Sequence, residues 1–401
     1  MATKKNSNLP YGRQFIDDDD VSAVIDVLKS NWLTTGPAVE KFESAVAART
    51  DASYGVAVSS GTAALHCAAK VSGLADGHEA VVPALTFAAT AAAVRLCGAE
   101  VRFADIDPDS WCLSTESMES VLSSRTRAVL PVDFAGQPCD WDGLNSVLNG
   151  KGIVTIADSA HSLASSYKGR PVGALADMTC FSFHPVKAIT TAEGGMIMTN
   201  QEMFVQELRR VRSHGIVRDS SKYYEEAEVS NDDSHLDSPA PWYYEVQEIG
   251  LNYRISDLQC ALGISQLKKL NAFIKRRNEL AKLYSDAFAS LDLLQTPVVK
   301  HTNQSAWHIY VIQLNLAALA QSRRQIFDLL RNRGVGVQVH YMPLHLHPYY
   351  KKRYNYSRGD FPNAEAYYDR AITIPLYPSM TDADALNVVD VVQDVLSLAK
   401  R

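Results

Sequence analysis

Lys187 follows Ser182 by five residues in the segment Phe181-Ser182-Phe183-His184-Pro185-Val186-Lys187, which opens as a β-rich run. A second such run, Ile153-Val154-Thr155-Ile156-Ala157, ends on Asp158 and continues Ser159-Ala160-His161. Earlier, Gly55–Val58 runs into Ser59-Ser60-Gly61-Thr62, a strand followed by a small-residue helix start. A lysine can form a Schiff base with an aldehyde. A carboxylate can pair with a pyridinium nitrogen and keep it protonated, so that the ring draws electrons. Free N–H groups at a helix N-terminus, aided by hydroxyls, can hold a phosphate. Together these are the requirements of pyridoxal 5'-phosphate. Gly61 allows close approach, Thr62 and Ser182 donate, and Phe87, just after Val81-Val82-Pro83, can stack on the ring face. Singly, each element is common: most lysines are solvated charges, and an Asp at a strand end is as often a cap as a catalyst. The order phosphate loop, aromatic, Asp, Ser, Lys is the informative feature. The spacing of 29 from Asp158 to Lys187 leaves room for a helix or hairpin and a returning strand.

The elements that must position these groups follow from the hydrophobic pattern. Short β-rich runs lie at Gly55–Val58, Ala80–Val82, Val101–Ile106, Ala128–Phe134, Ile153–Ala157, Thr179–Phe183 and Met196–Thr199. Helical stretches such as Thr62–Ser72 and Phe87–Leu96 separate them. This alternation predicts a mostly parallel sheet covered by helices, with ligands beyond the carboxyl ends of its strands. Before it, Asp17-Asp18-Asp19-Asp20 precedes an apolar stripe at Val21, Val24, Ile25 and Leu28, the pattern of a helix with acids in its first turn. Residues 217–248 are acidic and read as a long exposed loop. Ser256-Asp257 then caps a long amphipathic helix carrying Leu258, Leu262, Leu267, Leu270 and Phe273. From about residue 300, β-rich and helical runs alternate as in a smaller α+β domain. The expected organisation is a large α/β domain over 1–250 and a smaller C-terminal α+β domain over 251–401.

With 46% apolar and 21% charged residues over 401 positions, the chain has globular proportions. A net charge of −6 makes it a poor non-specific ligand for nucleic acid or an anionic membrane. Its six cysteines form no C-x-x-C pair and read as buried free thiols in a reducing compartment. The uncharged stretch 80–94 is short and broken by Pro83, and the first ten residues lack an apolar leader core. A soluble cytoplasmic protein is expected.

The sequence resembles the DegT-type nucleotide-sugar aminotransferases, enzymes of pyridoxal-phosphate fold type I, over nearly its whole length. The markers are Trp32-Leu33-Thr34-Thr35-Gly36-Pro37, Ser60 to Leu65, Thr86-Phe87-Ala88-Ala89-Thr90-Ala91, Asp158-Ser159-Ala160-His161, Ser182 to Gly195, and Gly250-Leu251-Asn252-Tyr253-Arg254-Ile255-Ser256-Asp257. The resemblance implies that Lys187 carries the coenzyme and shuttles the proton, that Asp158 holds the pyridine nitrogen, and that His161 lies near the ring, where many members have Gln. It implies phosphate binding by Gly61, Thr62 and Ser182. It also implies that Asn252 reaches that phosphate across a homodimer, and that Arg254 contacts substrate across the same interface. Some members replace the lysine with histidine and dehydrate their substrate; Lys187 favours transamination. Asp133-Phe134-Ala135-Gly136-Gln137 departs from the usual His or Tyr pattern, at a place where sugar selectivity can be set. Leu9 to Gln14, Trp242 through Arg254, Ser265 to Leu270, and Gln338-Val339-His340-Tyr341-Met342-Pro343 with Pro348-Tyr349-Tyr350 bring the chain nearest to the pseudaminic-acid branch. That branch aminates C4 of a UDP-linked 4-keto-6-deoxy-N-acetyl-L-hexose, the L-altrosamine precursor, with L-glutamate as donor. Other branches aminate perosamine-type or 4-amino-arabinose-type precursors.

His340, His345 and His347 have metal-like spacing, but no carboxylate or cysteine lies among them. With Tyr341 they read as a substrate-facing loop, and no metal site is expected. Arg209, Arg210, Arg212 and His214 form a basic patch that could steer a diphosphate. Lys275-Arg276-Arg277 reads as helix surface. A non-catalytic regulator on the same fold is disfavoured by the intact Asp158, Ser182 and Lys187. A nicotinamide enzyme is disfavoured because no G-x-G-x-x-G follows an early strand.

Overall fold

The computed structural model describes residues 9–224 and 240–401. Seven strands form the central sheet: β1 (Tyr54–Val58), β2 (Glu79–Pro83), β3 (Glu100–Ala104), β4 (Thr126–Val129), β5 (Val154–Asp158), β6 (Met178–Ser182) and β7 (Gly195–Thr199). Their spatial order is β1-β7-β6-β5-β4-β2-β3. The pairs from β6 to β3 are parallel, and β7 runs antiparallel to both neighbours. Ala80, Val81, Val82, Val101, Ala128, Val129, Ile156 and Met178 are all fully buried. Burial on both faces explains why these strands read as unbroken apolar runs rather than as alternations. Helices α1 (Asp18–Leu28), α2 (Pro37–Thr50), α3 (Gly61–Val71) and α4 (Ala88–Leu96) come from the same half of the chain.

A smaller antiparallel sheet joins Leu294–Gln295, Tyr310–Leu314 and Ala371–Ile374. It shares a second buried core with helices Arg323–Asn332 and Asp382–Ala399. The two cores interleave along the chain: Leu9 belongs to the second, while Tyr350, Phe361, Ala364 and Tyr367 belong to the first.

The acidic run does cap α1. Asp17 accepts from the Asp20 N–H, and the Asp20 carboxylate accepts from the Asp17 N–H. Both carboxylates also pair with Lys269 on the helix Asp257–Phe288. That helix begins at a Ser256–Gln259 capping box, and the Asp257 carboxylate in turn accepts from Gly36 N and Ala38 N at the start of α2.

Four expectations need correction. The run over 128–134 stops at Val129, because Pro131 cannot donate to a ladder and residues 134–136 wind into a 3-10 turn. Arg277 is not on the surface. It is fully buried, and its Nη1 donates to the carbonyls of Trp307, His308 and Leu376. The basic patch is committed elsewhere: Arg212 pairs with Glu43 at 2.7 Å and Arg210 with Glu248 at 2.6 Å. Finally, the ends of the 217–248 segment pair as a short ladder, Ile216–Val217 with Glu245–Val246. The middle of that segment, 225–239, lies outside the described residues.

Candidate active site

Three chain turns converge beyond the carboxyl ends of β1, β5 and β6. The first is the start of α3. Ser60, in extended conformation, caps it by accepting from the Ala63 N–H at 3.0 Å. The N–H groups of Gly61 and Thr62, in the first turn, have no acceptor within the helix and carry its positive end. A β-carbon at Gly61 would lie 2.8 Å from Ser182 Cβ. Glycine here is what lets the end of β6 close onto the helix start, so the Ser182 hydroxyl and the free N–H groups face one small space. That cradle suits a phosphate.

Asp158 ends β5. Its Oδ2 accepts from the Thr90 hydroxyl at 2.6 Å, and the Thr86 hydroxyl lies 2.7 Å from that of Thr90. Oδ1 accepts only a longer bond, from Ala160 N at 3.3 Å. Burial pushes the Asp158 pKa up, against the Thr90 and Ala160 hydrogen bonds and the charge of Lys187.

Lys187 sits on the turn after β6, where its N–H donates to His184 O. Burial of its amine lowers its pKa to about 8, and the Asp158 charge opposes the shift. Its Nζ lies 3.5 Å from Nε2 of His308. The His308 ring packs on that of His161, centroids 4.2 Å apart. Burial holds both imidazoles well below the usual histidine range. His161 Nδ1 accepts from Ala135 N at 3.3 Å.

A cavity of about 380 Å³ brings together Gly61, Thr62, Phe87, Asp158, His161, Ser182, Lys187, His340 and Tyr341. Phe87 is 56% exposed at the rim, its ring 5.7 Å from that of Tyr341. His340 is buried with Nδ1 2.8 Å from the Thr373 hydroxyl, and burial lowers its pKa to about 4. Asn252 and Arg254 are not brought to this cavity; Asn252 is exposed beside its backbone bridge to Ser213. His345 also lies outside it, buried against Glu365 at 2.9 Å. Of the departing segment 133–137, Phe134 lines the cavity while Asp133 is fully buried, held by Ser159 and Ser162. Among the described residues, no group of three or more His, Cys, Asp or Glu side chains is placed to hold a metal.

Sequence reasoning missed His308 and the role of Thr90. Thr90 lies in the motif Thr86–Ala91, in the first turn of α4, and Thr86, just before the Phe87 N-cap, folds back so that its hydroxyl meets that of Thr90. No local signal marks His308, which meets Lys187 only through the tertiary fold.

A buried cation-forming lysine, a carboxylate with one lightly satisfied oxygen, and a glycine-gated helix N-terminus in one cavity fit pyridoxal 5'-phosphate. Residues 14–393 match the DegT/DnrJ/EryC1/StrS aminotransferase family. The chain belongs to this family. It is 38% identical over 397 residues to the spore coat polysaccharide biosynthesis protein SpsC of Bacillus subtilis, covering 99% of both chains. Its structure resembles that of Helicobacter pylori PseC, an aminotransferase involved in the biosynthesis of pseudoaminic acid. The TM-score is 0.89 at 27% identity, covering 98% of this chain and 100% of that one. The putative sugar aminotransferase Spr1654 of Streptococcus pneumoniae, in its PMP-form, matches with a TM-score of 0.89 at 28% identity, covering 98% of this chain and 100% of that one. Its PLP-form matches at 0.88. The chain is therefore a pyridoxal-phosphate-dependent sugar aminotransferase with the fold of that enzyme class. No described helix is long and apolar enough to cross a membrane.

Proposed function

We propose that this aminotransferase moves the amino group of L-glutamate to C4 of a UDP-linked 4-keto-6-deoxy-N-acetyl-hexose, the L-altrosamine precursor of pseudaminic acid. We further propose that it works as a cytoplasmic homodimer. Residues 1–250 are read as the coenzyme-binding domain and 251–401 as the smaller one. The observation that supports the substrate is the full-length likeness to PseC. A second reading, another nucleotide-linked 4-keto sugar, is favoured by the higher identity to SpsC.

In this reading Gly61, Thr62 and Ser182 bind the phosphate, Phe87 covers a ring face, and His161 lies beside the ring. Asn252 of the partner subunit completes the phosphate site. His340 and Tyr341, with Arg254 reaching across the dimer interface, contact the sugar or its nucleotide. Bound pyridoxal phosphate supplies an electron sink for the carbon that loses its proton. The amine of Lys187 removes that proton as general base and returns it one position away as general acid. With its pKa near 8, a useful fraction of that amine is neutral at physiological pH. Asp158 supplies the negative charge that keeps the ring nitrogen protonated, and the Thr90 hydrogen bond favours that charge against the upward pull of burial. Glutamate leaves as 2-oxoglutarate before the keto sugar enters, which gives ping-pong kinetics.

The experiment is a panel of UDP-, dTDP- and GDP-linked 4-keto sugars with glutamate, with products read by mass. The expected result is conversion of the UDP-linked N-acetyl substrate to its 4-amino product. Preference for another sugar replaces the first reading with the second. Loss of water from the keto sugar with no gain of an amino group indicates a dehydratase.

A further inference from the structure

The turn Asp133–Gly136 touches both active-site histidines through one residue. The Ala135 N–H donates to His161 Nδ1 at 3.3 Å, and the Ala135 carbonyl accepts from the His308 N–H at 3.1 Å. A backbone amide can only donate, so His161 Nδ1 carries no proton. The single proton of the neutral imidazole is then on Nε2. A charged imidazolium would set two N–H groups against each other, and the buried ring holds no such charge.

Ala135 makes these two bonds from a left-handed conformation, φ 57°, which a residue with a β-carbon adopts only when its surroundings impose it. Asp133 anchors the start of the turn that holds it there. One carboxylate oxygen accepts from the hydroxyls of Ser159 at 2.6 Å and Ser162 at 2.8 Å; the other accepts from Cys139 N at 2.9 Å. Its own N–H donates to the Asp158 carbonyl at 3.1 Å. The two serines flank His161 in sequence, so the carboxylate ties the turn that offers the N–H to the turn that carries the ring.

We propose that Asp133 is a positioning residue: by clamping Ser159 and Ser162 it holds the Ala135 amide against His161, fixing that ring as an Nε2–H donor packed on His308 beside Lys187. The proposal rests on reading this cavity as the coenzyme site. Asp133, Ser159 and Ser162 lie away from the cavity surface and act through the histidines.

The test labels the histidines with 15N and records magic-angle-spinning spectra of the whole protein, with His161 assigned by difference against His161→Gln. Wild-type His161 is expected to show a protonated Nε2 and a bare, hydrogen-bonded Nδ1. Asp133→Ala should lose the hydrogen-bonded Nδ1 signal and lower kcat between about tenfold and a hundredfold, as expected when a reacting group is misplaced. Asp133→Asn, whose amide can still hold both serines, should restore the signal. Should Asp133→Ala fail to fold, Ser159→Ala/Ser162→Ala removes the same clamp and is expected to give the same spectrum. A wild-type His161 protonated on Nδ1, or an unchanged Nδ1 signal once the clamp is gone, overturns the proposal. The spectra require no substrate, so an error in the proposed sugar leaves their outcome intact.

Discussion

The Thr90 hydroxyl donates to Oδ2 of Asp158 at 2.6 Å, the shortest bond the buried carboxylate accepts. Helix α4 and strand β5 come from different parts of the chain, and this contact joins them at the carboxylate we propose as the partner of the coenzyme nitrogen. Burial alone favours a neutral carboxyl; Thr90 is the first of the groups that oppose it. Thr90→Val keeps the shape and removes the donor. A hydrogen bond to a charged group contributes about 1.5–3 kcal/mol, so kcat/KM should fall roughly tenfold to a hundredfold. The acid limb of the pH–rate profile should also move to higher pH, because the carboxyl of Asp158 then ionises later. An unchanged limb means that Asp158 does not govern it.

Gly61→Ala probes the phosphate cradle. The new methyl would stand 2.8 Å from Ser182 Cβ, closer than carbon atoms pack, so the end of β6 must draw back from the helix start. Losing part of one charge-assisted phosphate contact costs about 1.5–3 kcal/mol, so coenzyme affinity should fall roughly tenfold or more while the far-ultraviolet circular dichroism stays unchanged. Equilibrium dialysis against pyridoxal phosphate measures it.

The buried amine of Lys187 should make the coenzyme-free protein pH-sensitive. Its folded pKa, about 8, lies below the ordinary lysine value of 10.5. Between these values the unfolded chain binds the extra proton, so this group's contribution to stability rises with pH from 8 towards 10.5 and is constant below 8. The buried thiols act in the opposite direction, because their raised pKa values let the unfolded chain lose protons first. The comparison is therefore with Lys187→Met, in which the thiols are the same. Each pKa unit is worth about 1.4 kcal/mol, and the part-exposed stem discounts the full shift, so Lys187→Met should be more stable than wild type by about 1–3 kcal/mol at pH 7. That gap should shrink at pH 10. Urea titrations at the two pH values decide it.

Arg277→Met should be among the most destabilising single changes. It leaves the carbonyls of Trp307, His308 and Leu376 without their donor in a buried site. Removing a buried charged partner costs about 3–5 kcal/mol. Because His308 is one of the three, Lys187 should lose alignment in the same variant, visible as a lower kcat at temperatures where the protein is still folded.

The central sheet was legible in the sequence because a parallel strand covered on both faces must be apolar throughout, and strand ends therefore stood out where Asp158 and Ser182 interrupt the runs. The residues proposed to hold the coenzyme were legible for the same reason: Asp158 and Ser182 occupy those ends and line one cavity. The overrun through Phe134 arose because apolar residues in a tight turn look like apolar residues in a strand; Pro131, which cannot donate to a ladder, is the local sign that the strand has ended. Arg277 was misread from its basic neighbours. The helical period gives the better reading, since Phe273, Arg277, Leu280 and Tyr284 fall on one face and all are buried. His308 was not legible, because it meets Lys187 across 121 residues of chain and nothing local announces the meeting.

The 32-residue helix Asp257–Phe288 starts by holding α2, grips α1 at Lys269, supports the His308 backbone at Arg277 and reaches the Pro375 carbonyl at Tyr284. An α-helix turns 100° per residue, so these four grips keep a common phase only while the count between them is conserved. Adding or deleting one residue between Lys269 and Arg277 would swing every later grip a quarter-turn out of alignment. This span should therefore accept exchanges of side chain far more readily than any change in its length, whatever the mutation does to solvent-facing positions such as Lys275.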